Sequence, residues 1–201
     1  MTGHRNIIRS HYIPRIEKYT QSHEILDWES REAQECRFEV LLQYCSLEGK
    51  KILDVGCGLG DLFGYVKRAG IICDYTGIDL LGEMVDLAQE KYDDGHFIHG
   101  DMFEQRIFPA NCFDVVYTSG IFNLNIGNNE EFLKSAIKRL WEVSRQTVVF
   151  NMLHEKSECK EDSYCYHDPE EIAGFLHKFG YDPLIIEDYL GNDFTVFCSV
   201  T

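Results

Sequence analysis

Positive charge is scarce in this chain. Lys and Arg number 19 against 34 Asp and Glu, which leaves a formal net charge of −15 at pH 7. Nucleic-acid binding draws on clustered basic side chains that displace counterions from phosphate, so this balance argues against a nucleic-acid partner. Long hydrophobic runs are missing as well. No stretch reaches about 18 apolar residues, and the first residues mix His4, Arg5, Arg9 and His11 without an apolar signal core. A soluble, cytoplasmic protein with no membrane partner is expected. Proline is sparse, with 4 residues, and no repeat or low-complexity linker breaks the chain; 201 residues that are 44% apolar suffice for one well-filled domain. Cysteine is not scarce, but its eight positions include no Cys-x-x-Cys pair, and several fall inside apolar patterns. They read as reduced core thiols. His154, Cys159, Cys165 and His167 are ligand types within one short segment, yet their spacing fits no zinc pattern, so no metal is expected.

The most informative stretch runs from Ile52 to Leu62, Ile-Leu-Asp-Val-Gly-Cys-Gly-Leu-Gly-Asp-Leu. An apolar run meets Gly56, Gly58 and Gly60 at alternate positions and then opens a helix-like pattern, which predicts a strand, a tight turn and a helix. Glycine lets the backbone turn sharply and leaves no Cβ between the turn and a ligand. A dinucleotide-binding fingerprint places its third glycine three positions after the second, whereas here it follows after two. This stretch resembles motif I of the class I S-adenosylmethionine (SAM) dependent methyltransferases. The resemblance extends over roughly residues 30 to 200. It implies SAM as cofactor and a Rossmann-like, seven-stranded, mostly parallel sheet closed by an antiparallel C-terminal hairpin, with helices on both faces and an N-terminal helical arm. Gly56, Cys57, Gly58 and Asp61 are then expected against the cofactor.

Downstream segments follow in the order such a fold requires. Tyr75 to Leu80 reads as a second strand with an acid at its carboxyl end, where ligands bind in open α/β sheets, and Asp79 can accept both hydroxyl hydrogens of a ribose. The alternative role for Asp79 is a helix N-cap, although the next helix is expected later, at Gly82. Leu80 and Met84 are expected beside the same crevice. His96 to Met102 reads as a third strand whose end resembles the family's adenine-contacting Gly-Asp pair: Asp101 accepts from the adenine amino group and Met102 lends its N–H to a ring nitrogen. The alternative is that Asp101 closes a loop on its own backbone. Phe113 to Gly120 is a buried fourth strand, and the resemblance places Ser119, Gly120, Ile121 and Phe122 around the methionine end. The segment lacks the Asn or Asp with two following prolines found in family members that methylate nucleic-acid amino groups. Asn123 and Asn125 are either substrate ligands or turn residues.

Asn128 with Glu131 is expected to start a helix over 129–144, and Thr147 to Leu153 to form a fifth strand. Asp168-Pro169-Glu170-Glu171 is a helix start with a structural cap. Pro183 to Tyr189 and Phe194 to Val200 are read as two β runs forming a hairpin. At the other end, residues 1–28 read as an arm or lid, broken at Pro14 as a helix, ahead of a methyltransferase domain over 29–201. Residues 29 to 47 carry apolar side chains at helical spacing, with Arg37 beside that stripe and Gln34 one turn before Phe38. The carboxylate partner of Arg37 is either a structural Glu or the carboxylate of a bound amino acid, and Arg37 is expected with the cofactor-binding residues. Loops of ordinary length favour a small methyl acceptor closed in by the arm, with no catalytic base assigned among Tyr117, His154, Tyr166 and His167. Two rival functions remain open, a SAM-binding sensor or partner subunit without catalysis and an NAD(P)-dependent oxidoreductase.

Overall fold

The architecture is a seven-stranded sheet covered by helices on both faces, in a computed structural model that describes residues 2–199. The strands are β1 (Lys51–Val55), β2 (Asp74–Asp79), β3 (Phe97–His99), β4 (Phe113–Thr118), β5 (Ser144–Leu153), β6 (Pro183–Ile186) and β7 (Asp193–Ser199). Their order across the sheet is β3-β2-β1-β4-β5-β7-β6, and only β7 runs antiparallel to its neighbours. The chain builds outward from β1 in one direction, then crosses to β4 on the other side. That reversal opens a crevice at the carboxyl ends of β1 and β4, the place where ligands sit in such sheets.

Alternation along the strands explains the two cores. Leu53 and Val55 face one side with Val116, Val148 and Phe150, under the helices α6 (Asn129–Val143) and α7 (Pro169–Lys178). Ile52 faces the other with Val115, Tyr117 and Val149, under α3 (Arg31–Tyr44), α4 (Asp61–Arg68) and α5 (Gly82–Lys91). Strands buried on both faces read as continuous apolar runs, which is why β1 and β4 were easy to place. The helix start at Asp168 is as expected, its Oδ1 accepting from the Glu170 N–H at 2.8 Å. The other start also falls where expected, with Asn128 at the N-cap position, but Asn128 makes no side-chain cap, and Asn129 accepts from Ile126 N and donates to Leu124 O. The hairpin of β6 and β7 is present, and Val200, expected as its last residue, lies outside the described residues.

Two further expectations are corrected. Pro14 does not break the arm, because α1 runs through it as one helix, Thr2–Lys18. A proline inside a helix removes one hydrogen bond; Ile8, Ile13 and Ile16 of this helix pack with Leu81 and Met84, contacts that hold it on the body of the protein. A short α2 (Ser22–Ile25) follows. The connection between β5 and α7 is longer than ordinary and structured, with isolated bridges between Leu124 and Tyr164 and between His154 and His167. His154 in it bonds Glu187 at 3.0 Å, and no group of three or more His, Cys, Asp or Glu among the described residues is placed to hold a metal ion. All eight cysteines are free, and no described helix is long and apolar enough to cross a membrane.

A buried polar ring joins the arm to the sheet. Arg37 is 3% exposed and pairs with fully buried Asp193 on β7. Asp193 Oδ1 accepts from Asn151 Nδ2 at 3.1 Å and from Tyr189 Oη at 3.0 Å. Asn151 in turn accepts the Gly120 N–H at 2.9 Å. The Arg37 guanidinium lies 4.2 Å from the ring centroid of Trp28, whose far edge covers Gly120. Removing one partner of such a pair strands a buried charge, so Arg37→Ala is expected to cost about 3–5 kcal/mol of unfolding free energy. Urea denaturation checks this, and a loss no larger than the roughly 1 kcal/mol of a surface pair would contradict it.

Candidate active site

A cavity of about 520 Å³ opens at the carboxyl ends of β1, β2 and β4, roofed by α1 and by residues Leu26, Asp27 and Trp28. Its floor is the turn after β1. Gly56, Gly58 and Gly60 all adopt positive φ, at 73°, 52° and 72°, which only glycine takes without strain. Space is equally tight: a Cβ on Gly56 would lie 2.5 Å from Ile121, and one on Gly58 would lie 2.7 Å from Leu26. The turn is thus pinched between the loop after β4 and the arm.

The cavity brings together most of the residues singled out from the sequence. Gly56, Cys57 and Asp61 line it from the first turn, and Asp79, Leu80 and Met84 from the second. Asp101, Met102, Ser119 and Gly120 complete the rim. Three do not belong to it. Arg37 is committed to Asp193, an Asp where a structural Glu was one alternative, and its Nη1 donates to Ala33 O. Phe122 is 2% exposed and packs between Phe132 and Phe150, because the turn after β4 directs it into the core. Gly58 lies behind the wall, where its N–H donates to Asp79 Oδ2 at 2.9 Å.

Asp79 is held by two backbone donors, Gly58 N–H and Leu81 N–H at 2.9 Å each, so each oxygen is fixed and keeps further lone-pair capacity. Burial pushes its carboxyl up, against the pull of those donors. Asp101 does close its loop, Oδ1 accepting from Phe103 N at 3.0 Å and Glu104 N at 3.2 Å, while remaining part of the cavity wall. Asp61 accepts from Gln34 Nε2 at 3.0 Å and pairs with Lys91 at 2.5 Å.

Several lining residues carried no expectation in the sequence. Asp27 sits at φ 61° and accepts a hydrogen bond from Tyr164, with Arg15 and His11 of α1 also on its carboxylate. Burial would raise its pKa, but the bonds from His11 and Tyr164 and the Arg15 charge outweigh that and hold it below its ordinary value. Asp54 lies in the buried run of β1, and its one sequence signal is a carboxylate inside an apolar strand. It accepts from Tyr75 Oη at 2.5 Å, and burial pushes it up to about 7. Between its ordinary value of 3.8 and about 7 the folded state holds the proton more tightly, so this contribution to stability is complete below about pH 4 and falls as pH rises toward 7. Asp54→Asn should remove that decline. Unfolding free energies measured across this pH range check it, and an unchanged slope would contradict it.

Comparison with known proteins bears on the fold and the cofactor. Residues 52–145 match the family model of a methyltransferase domain. The Mycobacterium tuberculosis protein Rv1506c, which is named as a methyltransferase, is 28% identical over 156 residues, covering 72% of this chain and 90% of that protein. Phosphoethanolamine N-methyltransferase 3 of Arabidopsis thaliana is 26% identical over 151 residues, 70% of this chain but only 30% of the plant protein. In fold, the magnesium protoporphyrin IX methyltransferase of Synechocystis PCC 6803 with bound SAH superposes at a TM-score of 0.72, with 15% identity, over 98% of this chain and 100% of that one. A glycine turn of this spacing, at the switch point of a sheet of this order and inside a matching sequence model, identifies residues 52–145 as a methyltransferase domain in a chain of class I methyltransferase fold, with S-adenosyl-L-methionine as its cofactor.

Proposed function

We propose that this protein moves a methyl group from SAM to a small-molecule acceptor, and that the cavity under α1 holds both. The observation that carries this reading is Asp79 at the end of β2, turned into the cavity by the Gly58 and Leu81 N–H groups beside the glycine floor. Its free lone pairs suit the two hydroxyls of a ribose. Asp101 and the Met102 N–H then serve the adenine, with Leu80 and Met84 as apolar walls. Gly56 and Cys57, facing Ser119 and Gly120, offer main chain to the methionine end, and Asp61 lies beside it.

Bound SAM supplies a methyl group already activated on a positive sulfonium. What remains for the chain is to fix the acceptor in line with that methyl and to keep water out. Orientation of this kind can lower a barrier by on the order of 7 to 11 kcal/mol. The arm of residues 1–28 acts as the lid: α1 presents Ile8 and Tyr12 to the cavity, and Arg9 clasps Glu83 at the start of α5 at 2.7 Å. A cavity of about 520 Å³ that must admit the cofactor leaves room for a small acceptor only. The acidic balance of the chain also disfavours a polyanionic one.

Calorimetric titration with SAM and with S-adenosylhomocysteine (SAH) tests the cofactor site. Each charge-assisted hydrogen bond is worth roughly 1.5–3 kcal/mol, so Asp79→Ala should weaken SAH binding by about 10- to 100-fold. Near-normal affinity in a variant that remains folded by circular dichroism would overturn the ribose assignment.

A further inference from the structure

One corner of the cavity is built from parts that the cofactor reading does not use. Asp27 and Trp28 come from the arm, Asn123 from the loop after β4, and Tyr164 from the long connection after β5. They are neighbours in space: Tyr164 donates to Asp27, the Cys165 N–H donates to Asn123 O at 2.7 Å, and Gly120 lies against both the Trp28 ring and Asn123 Nδ2. Tyr12 of α1 closes the same corner and feels the Asp27 charge. Asn123 is 6% exposed, and its Oδ1 is sealed from solvent with no hydrogen-bond partner. An unpaired buried acceptor is unfavourable, so a ligand N–H that meets it once the amide turns about χ2 toward the cavity recovers that cost.

Resting on the SAM reading above, we propose that this corner is the acceptor subsite and that the acceptor is a small amine, its N–H donated to Asn123 Oδ1 and its cationic form held among the Tyr12, Trp28 and Tyr164 rings. Three observations select the class. Aromatic faces attract a cation and offer an anion nothing. The guanidinium groups at this corner are spent, Arg15 on Asp27 and Arg37 on Asp193, and Arg5, the other one lining the cavity, lies about two turns of α1 away from Tyr12, so a carboxylate or phosphate finds no open partner at the corner itself. The residues lining the corner also include no base strong enough for an alcohol, since His11, engaged by Asp27, stands outside the lining. Tyr164 is itself a donor to Asp27 and is pushed up by burial, and Asp27 is held low. An amine needs no such base, because the bound ammonium releases one proton to water and the neutral form then carries its own lone pair. That lone pair forms the new N–CH3 bond as the S–CH3 bond breaks, with the S–C electron pair left on sulfur as neutral SAH. The positive charge passes to nitrogen, and the product ammonium sheds its proton to water.

The test compares three matched probes, propylamine, propan-1-ol and propionate, titrated into the SAH-loaded full-length protein at pH 7. The amine should bind about tenfold or more tightly than either of the others, the scale of a desolvated cation–π contact. Asn123→Ala and Tyr164→Ala should each remove most of that preference while leaving SAH affinity within about threefold. Equal or tighter binding of propionate or the alcohol, no detectable amine binding, or a preference unchanged in both variants would overturn the proposal. Failure of SAH itself to bind the unaltered protein would instead overturn the cofactor reading, so the two failures are separable.

Discussion

The buried pair of Arg37 and Asp193 is the constraint on which the site depends. Taking two charges out of water cancels much of their attraction, so such a pair adds little net stability over apolar packing. Its contribution is position. Asp193 occupies the first residue of β7, beside the carboxyl end of β5, and by accepting from Arg37, Asn151 and Tyr189 it fixes three elements at one point. Asn151 then holds the Gly120 N–H, while Arg37 presents a flat cation to Trp28. Roof and rim of the cavity are therefore set by one carboxylate that never reaches it.

The floor follows a different logic, that of steric exclusion. Gly56 and Gly58 accept no side chain, because Ile121 and Leu26 stand where a Cβ would go. The same absence lets main chain approach a ligand. Gly58 contributes through its N–H, which aims Asp79, although the residue itself is outside the cavity. The cavity that results is strongly acidic, and its carboxylates are tuned apart. Burial raises the Asp54 carboxyl to about 7, whereas the groups bonded to Asp27 hold it low.

Legibility in the sequence divided along the range of the interactions. The strands β1 and β4 and the glycine turn could be read because each depends on adjacent residues, apolar runs buried on both faces and positions where φ must be positive. The end of β2 could be read because an acid follows an apolar strand. Of the residues expected against the cofactor, all but Arg37, Gly58 and Phe122 line the cavity, whereas Asn125, His154, Tyr166 and His167 stand outside it. Those exceptions share a cause. Where the backbone directs a side chain is set by contacts far along the chain, and Arg37 meets its partner 156 positions away. Pro14 misled for a related reason, since tertiary packing against Leu81 and Met84 outweighed the local penalty.

By itself, then, the sequence determined the class of fold and the glycine turn, which rest on period, glycine and strand-end chemistry within short windows, while the resemblance those windows carry implied the cofactor. Tertiary structure alone brought together the corner proposed for the acceptor. Asp27 and Tyr164 are 137 positions apart and carry no pattern that pairs them, and Asn123 is an ordinary loop residue until burial leaves its Oδ1 without a partner. Recognition of a ligand depends on groups converging in space, and convergence over such separations is a property of the packed chain, not of any window of its residues.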